Sequence, residues 1–270
     1  MRKTTYIICI CLLSILVFYE VRHNQTSSEE YIPTARFASM VKQENQNMNE
    51  SQDSESGGDK EEKKIAYLTF DDGPSDNTVK ILKTLEEKKA VATFFLIGNS
   101  ITPEYEEIVR QTVKQGNAVG VHTYCHQKNV LYCNAECFWE DFNKASSIVE
   151  QVTGERPTLH RFPWGSNNSY VSAYVDELHE KLQEMGVHSY DWNVSGEDSI
   201  GGTVAKSTIF NNVKKDVTRY NEPIILLHDS ASTDNTAAVL GEMIDYIRSQ
   251  GYEFDTLEHR EEYMFPASWR

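Results

Sequence analysis

From Ile65 onward the chain alternates short, unbroken apolar runs with longer segments whose apolar residues recur every three or four positions. The runs at 65–70 (IAYLTF), 91–98 (VATFFLIG), 118–122 (AVGVH), 159–162, 187–193, 223–228 and 252–257 read as strands. The stretches 78–89, 104–115, 136–153, 170–185, 203–218 and 237–249 read as helices. In the first helix Val79, Leu82 and Leu85 share one side; in the third, Phe138, Phe142 and Ile148 turn toward a core. Strands that are apolar throughout, rather than at alternate positions, are covered on both faces, and helices between them make them parallel. About seven such units in one domain predict an α/β barrel that need not be closed.

The N-terminal part has a different pattern. Met1, Arg2 and Lys3 precede a 14-residue apolar run, Tyr6 to Tyr19, and then Glu20 and Arg22. This is the layout of a secretory signal, but no small-x-small cleavage site follows. An uncleaved signal anchor over residues 1–22, N-terminus inside, is therefore expected; cleavage and secretion is the alternative. Residues 23–64 are rich in Glu, Asp, Ser, Asn, Gln and Lys and read as a disordered acidic tether. The folded domain is then 65–270, membrane-anchored and extracytoplasmic.

Composition narrows the partners. Of 270 residues, 39% are hydrophobic and 25% charged, with a net charge of −15. Such acidity argues against nucleic acid as a partner, since phosphates would repel it. The 5 cysteines are too few for a disulfide-dense scaffold and match no zinc-finger spacing. Cys125, Cys133 and Cys137 fall in the external domain, an odd number that leaves at least one thiol; Cys133 and Cys137 are close enough in sequence to pair if their segment is not regular helix. Nothing in the sequence sets the oligomeric state.

Polar residues gather at the ends of the apolar runs. Asp71 and Asp72 end the first, His122 the third, and Arg161 ends or lies within the fourth. Asp198 lies just past the fifth, and His228 and Asp229 end the sixth. In a parallel barrel these ends share one face, where active sites are built. His122 and His126 are four apart, the spacing of one side of a helical turn. Two imidazoles and a carboxylate from Asp71 or Asp72 suit a divalent-metal site with open positions. Adjacent carboxylates on an extended chain point to opposite sides, so one can bind metal while the other serves as a base. Tyr124, Tyr132, Trp139 and Trp164 are candidate sugar-stacking residues, with core packing the better default for Trp139.

Together these segments resemble the polysaccharide deacetylases, the NodB homology family of carbohydrate esterases. Five segments occur in the family's order: Thr69-Phe-Asp-Asp-Gly-Pro74, His122-Thr-Tyr-Cys-His126, Arg161-Phe-Pro-Trp-Gly165, Asp191-Trp-Asn-Val-Ser-Gly-Glu-Asp198 and Leu226-Leu-His-Asp229. The resemblance implies a distorted, incomplete, TIM-like (β/α) barrel of about seven parallel strands, with its catalytic face at the strand C-termini. It implies that Asp72, His122 and His126 hold a divalent metal, zinc or alternatively cobalt or nickel. It implies Asp71 as catalytic base with Arg161 beside it, and His228 as acid tuned by Asp198. The backbone N–H of Trp164 would help hold the oxyanion, and Leu226 would line a pocket for the acetyl methyl. Three positions depart from the family pattern: Ser199 follows Asp198 where Trp is common, Trp164 stands where Tyr or Gly is usual, and Cys125 beside a metal ligand is less usual.

The resulting expectation is a metal-dependent hydrolase that removes N-acetyl groups from N-acetylglucosamine in a cell-wall glycan, peptidoglycan being the nearest polymer for an anchored domain. The alternatives are another glycan, such as chitin oligomers or O-acetylated xylan, and a catalytically silent glycan-binding wall protein.

Overall fold

The structure is a computed structural model and describes residues 63–200 and 202–269. The expected anchor, and the expected tether up to residue 62, lie outside the described residues. Among the described residues no helix is long and apolar enough to cross a membrane. Lys64, counted in the tether from sequence, opens the first strand.

That strand, β1 (Lys64–Gly73), is the middle of the sheet. β2 (Ala92–Ile97) lies on one side; on the other, β8 (Tyr252–Phe254) pairs with residues 64–66 and β7 (Ile224–His228) with residues 67–71. β3 (Ala118–Thr123), β4 (Leu159–His160) and β5 (His188–Ser189) extend the sheet beyond β2, and β6 (Val194–Ser195) extends it beyond β7. Every pairing is parallel, and the strand order is β5-β4-β3-β2-β1-β7-β6. The expected incomplete barrel of about seven parallel strands is what forms.

Of the expected strand 187–193 only His188–Ser189, β5, is strand, and β6 begins just past it at Val194. β5 and β6 follow each other in sequence yet sit at opposite ends of the strand order. The chain between them pairs instead with the C-terminal segment: Asp191 N–H donates to the Tyr263 carbonyl and Phe265 N–H to the Asp191 carboxylate. An apolar run shows that a segment is covered but not which strand covers it.

The helices are α1 (Asp76–Lys88), α2 (Glu106–Lys114), the one-turn α3 (Lys128–Leu131), α4 (Ala135–Thr153), α5 (Val175–Glu184), α6 (Lys206–Asp216) and α7 (Asp234–Ser249). α1 starts at a capping box made by Ser75 and Thr78, and α4 starts at Asn134, whose side chain accepts the Cys137 N–H. These caps satisfy amide donors that a helix start leaves free, typically about 1 kcal/mol each. α1 buries Ile81, Leu82 and Leu85. Val79, expected on that face, is 51% exposed, because positions 78, 81, 82 and 85 form the buried stripe and 79 falls outside it. Phe138 and Phe142 of α4 are buried as expected. Phe70 and Phe94, on adjacent strands, stack with centroids 5.2 Å apart and begin a core that runs through Leu68, Leu227 and Met243 to α7. Burying each such side chain contributes about 1.5–3 kcal/mol. Cys133 and Cys137 form a disulfide, and Cys125 is a free thiol.

Candidate active site

The C-terminal end of β1 builds the first part of the site. The strand bulges between Asp71 and Gly73, and Asp72 takes a φ of 74°, a left-handed conformation that Asp tolerates better than most residues. Both carboxylates consequently face one imidazole: Asp71 Oδ2 lies 3.9 Å and Asp72 Oδ1 3.6 Å from His122 Nε2. The extended-chain expectation of opposite directions is corrected here, because the bulge turns Asp72 back. Gly73 has no room for a side chain; a Cβ would lie 2.6 Å from Asp229 Oδ2. Asp229 is fully buried and accepts hydrogen bonds from the Ser75 and Thr78 hydroxyls, both at 2.6 Å, while its own N–H donates to the Asp71 carbonyl at 2.7 Å. Burial pushes the Asp229 carboxyl up to about 6, against the pull of its two hydroxyl donors. One side chain thus ties the turn, the start of α1 and the end of β7 together.

The two histidines come from the end of β3 and the loop after it. The four-residue spacing is not a helical turn: His126 has a φ of 51°, and α3 begins only at Lys128. The cause is Asp141 of α4, a buried carboxylate that accepts from the Thr123 hydroxyl (2.6 Å), the Tyr124 N–H (2.6 Å) and the Cys125 N–H (3.3 Å). Successive donors drawn onto one side chain curl the chain into a loop rather than a helix, whose amides would point along its axis. The Thr123 hydroxyl oxygen then accepts the His126 N–H at 3.3 Å. The rings end up 5.2 Å apart, and His126 Nε2 lies 3.5 Å from Asp72 Oδ1.

His122 bonds through Nδ1 to the Arg161 carbonyl at 2.9 Å, which makes Nδ1 the donor and leaves the Nε2 lone pair facing Asp72. Burial, with His126 beside it, pushes His122 down to about 3, so the ring is neutral. Asp72 Oδ1 is buried and has no hydrogen-bond partner. A buried carboxylate oxygen left bare is costly unless something positive meets it. Asp72, His122 and His126 each offer one ligand atom, all within 4.8 Å of one another, the one such cluster of three or more among the described residues. Two imidazole nitrogens and one carboxylate oxygen are the donor set of a divalent cation with positions left for water and substrate, so the residues fit a metal.

Arg161, just beyond β4, is wholly buried and has partners on all three nitrogens. Nε donates to the Tyr190 carbonyl (2.7 Å), Nη2 to the Asp191 carbonyl (3.2 Å), and Nη1 to both Thr69 Oγ1 (2.7 Å) and Asp71 Oδ1 (2.9 Å). Its guanidinium also lies over the Phe95 ring, 4.4 Å from the centroid. Burial raises the Asp71 carboxyl above the ordinary carboxylate range, and the Arg161 charge and hydrogen bond oppose that rise without cancelling it. Asp71 is therefore a stronger base than a surface carboxylate, and with Oδ1 held by Arg161 it has Oδ2 for proton transfer.

His228 ends β7 opposite Asp71 in the strand register, and Leu226, two residues earlier, pairs with Thr69. Residues two apart share a face, so Leu226 and His228 look the same way. Asp198, buried after β6, accepts from His228 Nδ1 (2.8 Å) and from the His228 and Thr236 donors on its other oxygen (2.8 and 2.7 Å). Burial pulls His228 down, but the Asp198 hydrogen bond and charge, with Asp71 and Asp72 behind them, outweigh it and bring the ring to about 9. Ser199 Oγ stands 3.3 Å from the outward nitrogen, Nε2.

Trp164 has a φ of 64° and is followed by Gly165 at 81°. Among the described residues no acceptor takes the Trp164 N–H. Asp191 fastens the far side of this loop, accepting from the Ser166 N–H (2.9 Å) and the Ser166 hydroxyl.

The structure thus brings Asp71, Asp72, His122, His126, Arg161, Asp198 and His228 together. Sequence reasoning missed Asp141, Asp229, Ser75, Thr78 and Thr69 as supports. For Asp141 the available signal was an acid on the Phe138–Phe142 face of an amphipathic helix; Asp229 was noticed only as the end of a strand.

A family model described as Polysaccharide deacetylase matches residues 58–179. The chain is 27% identical over 271 residues to a peptidoglycan-N-acetylglucosamine deacetylase of Bacillus cereus, spanning 99% of this chain and 95% of that one. It is 30% identical over 200 residues to the putative polysaccharide deacetylase YheN of Bacillus subtilis, spanning 72% of this chain and 67% of that one. The chain belongs to the polysaccharide deacetylase family. Among solved structures, the catalytic domain of peptidoglycan N-acetylglucosamine deacetylase from Eubacterium rectale matches it with a TM-score of 0.70 at 27% identity, over 80% of this chain and 98% of that one. As a polysaccharide deacetylase the chain is a metal-dependent hydrolase of acetyl groups on a glycan, and the Asp-His-His cluster is its candidate metal centre.

Proposed function

We propose that this polysaccharide deacetylase removes N-acetyl groups from N-acetylglucosamine residues of peptidoglycan, using zinc held by Asp72, His122 and His126. The observation that carries the reading is the bare Asp72 Oδ1 facing two imidazole nitrogens, beside a base and a carboxylate-braced acid. The names of the Bacillus cereus and Eubacterium rectale relatives support the substrate.

A divalent cation bound there would polarise the acetyl carbonyl and acidify a water. Asp71 takes the proton of the attacking water on Oδ2, with Arg161 fixing its other oxygen. The free N–H of Trp164 donates to the developing oxyanion, a term worth about 2.7–4 kcal/mol when such a donor is well aimed. His228 gives its proton to the departing amine. Its Asp198 partner keeps it an imidazolium at neutral pH and fixes its orientation. Leu226, 6% exposed, lines the space for the acetyl methyl.

The basic start and apolar run at residues 1–22 support an uncleaved membrane anchor and an extracytoplasmic catalytic domain carried on the 23–64 tether. The test is acetate release from peptidoglycan, chitin oligomers and acetylxylan side by side, with and without a chelator. Chelator-sensitive release from peptidoglycan above the other two supports the reading. Preference for acetylxylan moves the substrate to an ester, and metal content without release from any glycan leaves a binding protein.

A further inference from the structure

Large exposed apolar side chains are few among the described residues, and two of them, Trp164 (41% exposed) and Tyr170 (44%), stand together beside the metal ligands. The Trp164 ring lies 4.5 Å from His126 and meets Tyr170 edge-on at 6.0 Å. A bulky aromatic at positive φ is strained, and such strain persists only where the surroundings impose it. Here they do. Asn168 Nδ2 donates to the Pro163 and Gly165 carbonyls (3.0 and 2.6 Å), and its Oδ1 accepts the Tyr170 and Val171 N–H groups (2.9 and 3.2 Å). The Tyr132 hydroxyl adds a bond to the Pro163 carbonyl at 3.2 Å. One side chain thus sets both ends of the loop and presents both rings to solvent.

A cation completes the ledge. Lys128 Nζ donates to the Tyr170 hydroxyl at 3.2 Å and lies 4.9 Å from the ring centroid. Among the described residues it has no carboxylate partner. In a chain of net charge −15 an ammonium left without a carboxylate, two residues from a metal ligand, is suited to an anion brought by the ligand.

We propose that Trp164, Tyr170 and Lys128 form a binding subsite for the sugar adjoining the one that is deacetylated, and that this sugar carries a carboxylate. The subsite rests on the peptidoglycan reading above and deepens it. The aromatic faces take the apolar C–H face of the ring, and Lys128 takes the anionic substituent. In peptidoglycan the sugar alternating with N-acetylglucosamine carries a lactyl group, ending in a carboxylate or extended by an acidic peptide. A neutral N-acetylglucosamine chain would use the stack but not the cation.

The experiment compares KM and kcat for acetate release from two tetrasaccharides, a chitin tetramer and a peptidoglycan tetramer with free lactyl carboxylates. The proteins are the full chain, Lys128→Gln and Tyr170→Ala. Lys128→Gln should raise KM about threefold to fivefold for the carboxylated tetramer, the scale of an exposed ion pair, and leave the chitin KM and both kcat values unchanged. Tyr170→Ala should raise KM about tenfold for both tetramers. An active enzyme whose Lys128→Gln variant shifts both substrates equally, or neither, overturns the subsite while leaving the deacetylase reading intact. A wild-type chain that releases acetate from the chitin tetramer alone overturns the subsite, and one that releases none from either overturns both.

Discussion

Asp198→Asn isolates the feature that makes His228 an acid. Nδ1 donates to Asp198 at 2.8 Å, and the ring sits at about 9 against an ordinary imidazole near 6.5. That separation corresponds to about 3 kcal/mol favouring the imidazolium. Burial acts the other way, and once the Asp198 charge is removed only the weaker attraction of Asp71 and Asp72 still holds the ring up. The sign follows directly. The acid must carry its proton, and activity is lost as pH rises through its pKa, so lowering that pKa moves the alkaline limb of the kcat/KM profile to lower pH. A cation at Asp72, His122 and His126 repels the imidazolium in wild type and variant alike, so the difference between them survives it. The limb should move down by about two pH units, and near pH 8 the variant should be about tenfold slower. Asparagine cannot accept from both the His228 N–H and Nδ1–H as the carboxylate does, so retained metal content and an unchanged circular dichroism spectrum must accompany the kinetics. An alkaline limb that stays where it is in wild type would refute the role given to the Asp198–His228 pair.

Three further substitutions separate chemistry from support. Asp71→Asn keeps the shape but removes the base; acetate release should fall by at least about a hundredfold while bound metal, read by elemental analysis, stays at the wild-type level. Asp141→Asn and Asp229→Asn touch no substrate, yet each loosens one part of the cluster, the histidine loop or the Asp71–Asp72 turn. Each should weaken metal affinity by about tenfold to a hundredfold in a competition titration, with a smaller change in kcat at saturating metal. Unchanged affinity in both would mean that the loops hold their geometry without these carboxylates.

What the sequence made legible, and what it did not, follows from how each feature is encoded. Asp71, His122 and His228 could be found because each interrupts or ends an unbroken apolar run, and a parallel sheet collects such ends on one face. The conformations at those ends could not. The spacing of His122 and His126 suits a helical turn, and only Asp141, fifteen residues beyond His126, bends the segment into a loop. Asp72 faces His122 because of a bulge whose cause lies partly in Asp229 at the end of β7, far along the chain. The split of 187–193 into β5 and the loop to β6 depends on which edge each strand meets and on the C-terminal segment that pairs with Asp191, information that no local pattern holds. Val79 was misplaced for a simpler reason: the buried stripe of α1 is set by Thr78, Ile81, Leu82 and Leu85, one of them polar.

The most direct measurement is metal stoichiometry against acetate release for the wild-type chain and for Asp72→Ala, His122→Ala and His126→Ala. One divalent ion per wild-type chain, lost in each variant along with chelator-sensitive release from peptidoglycan, is the predicted outcome. Wild-type turnover in a His126→Ala chain stripped of metal would contradict it.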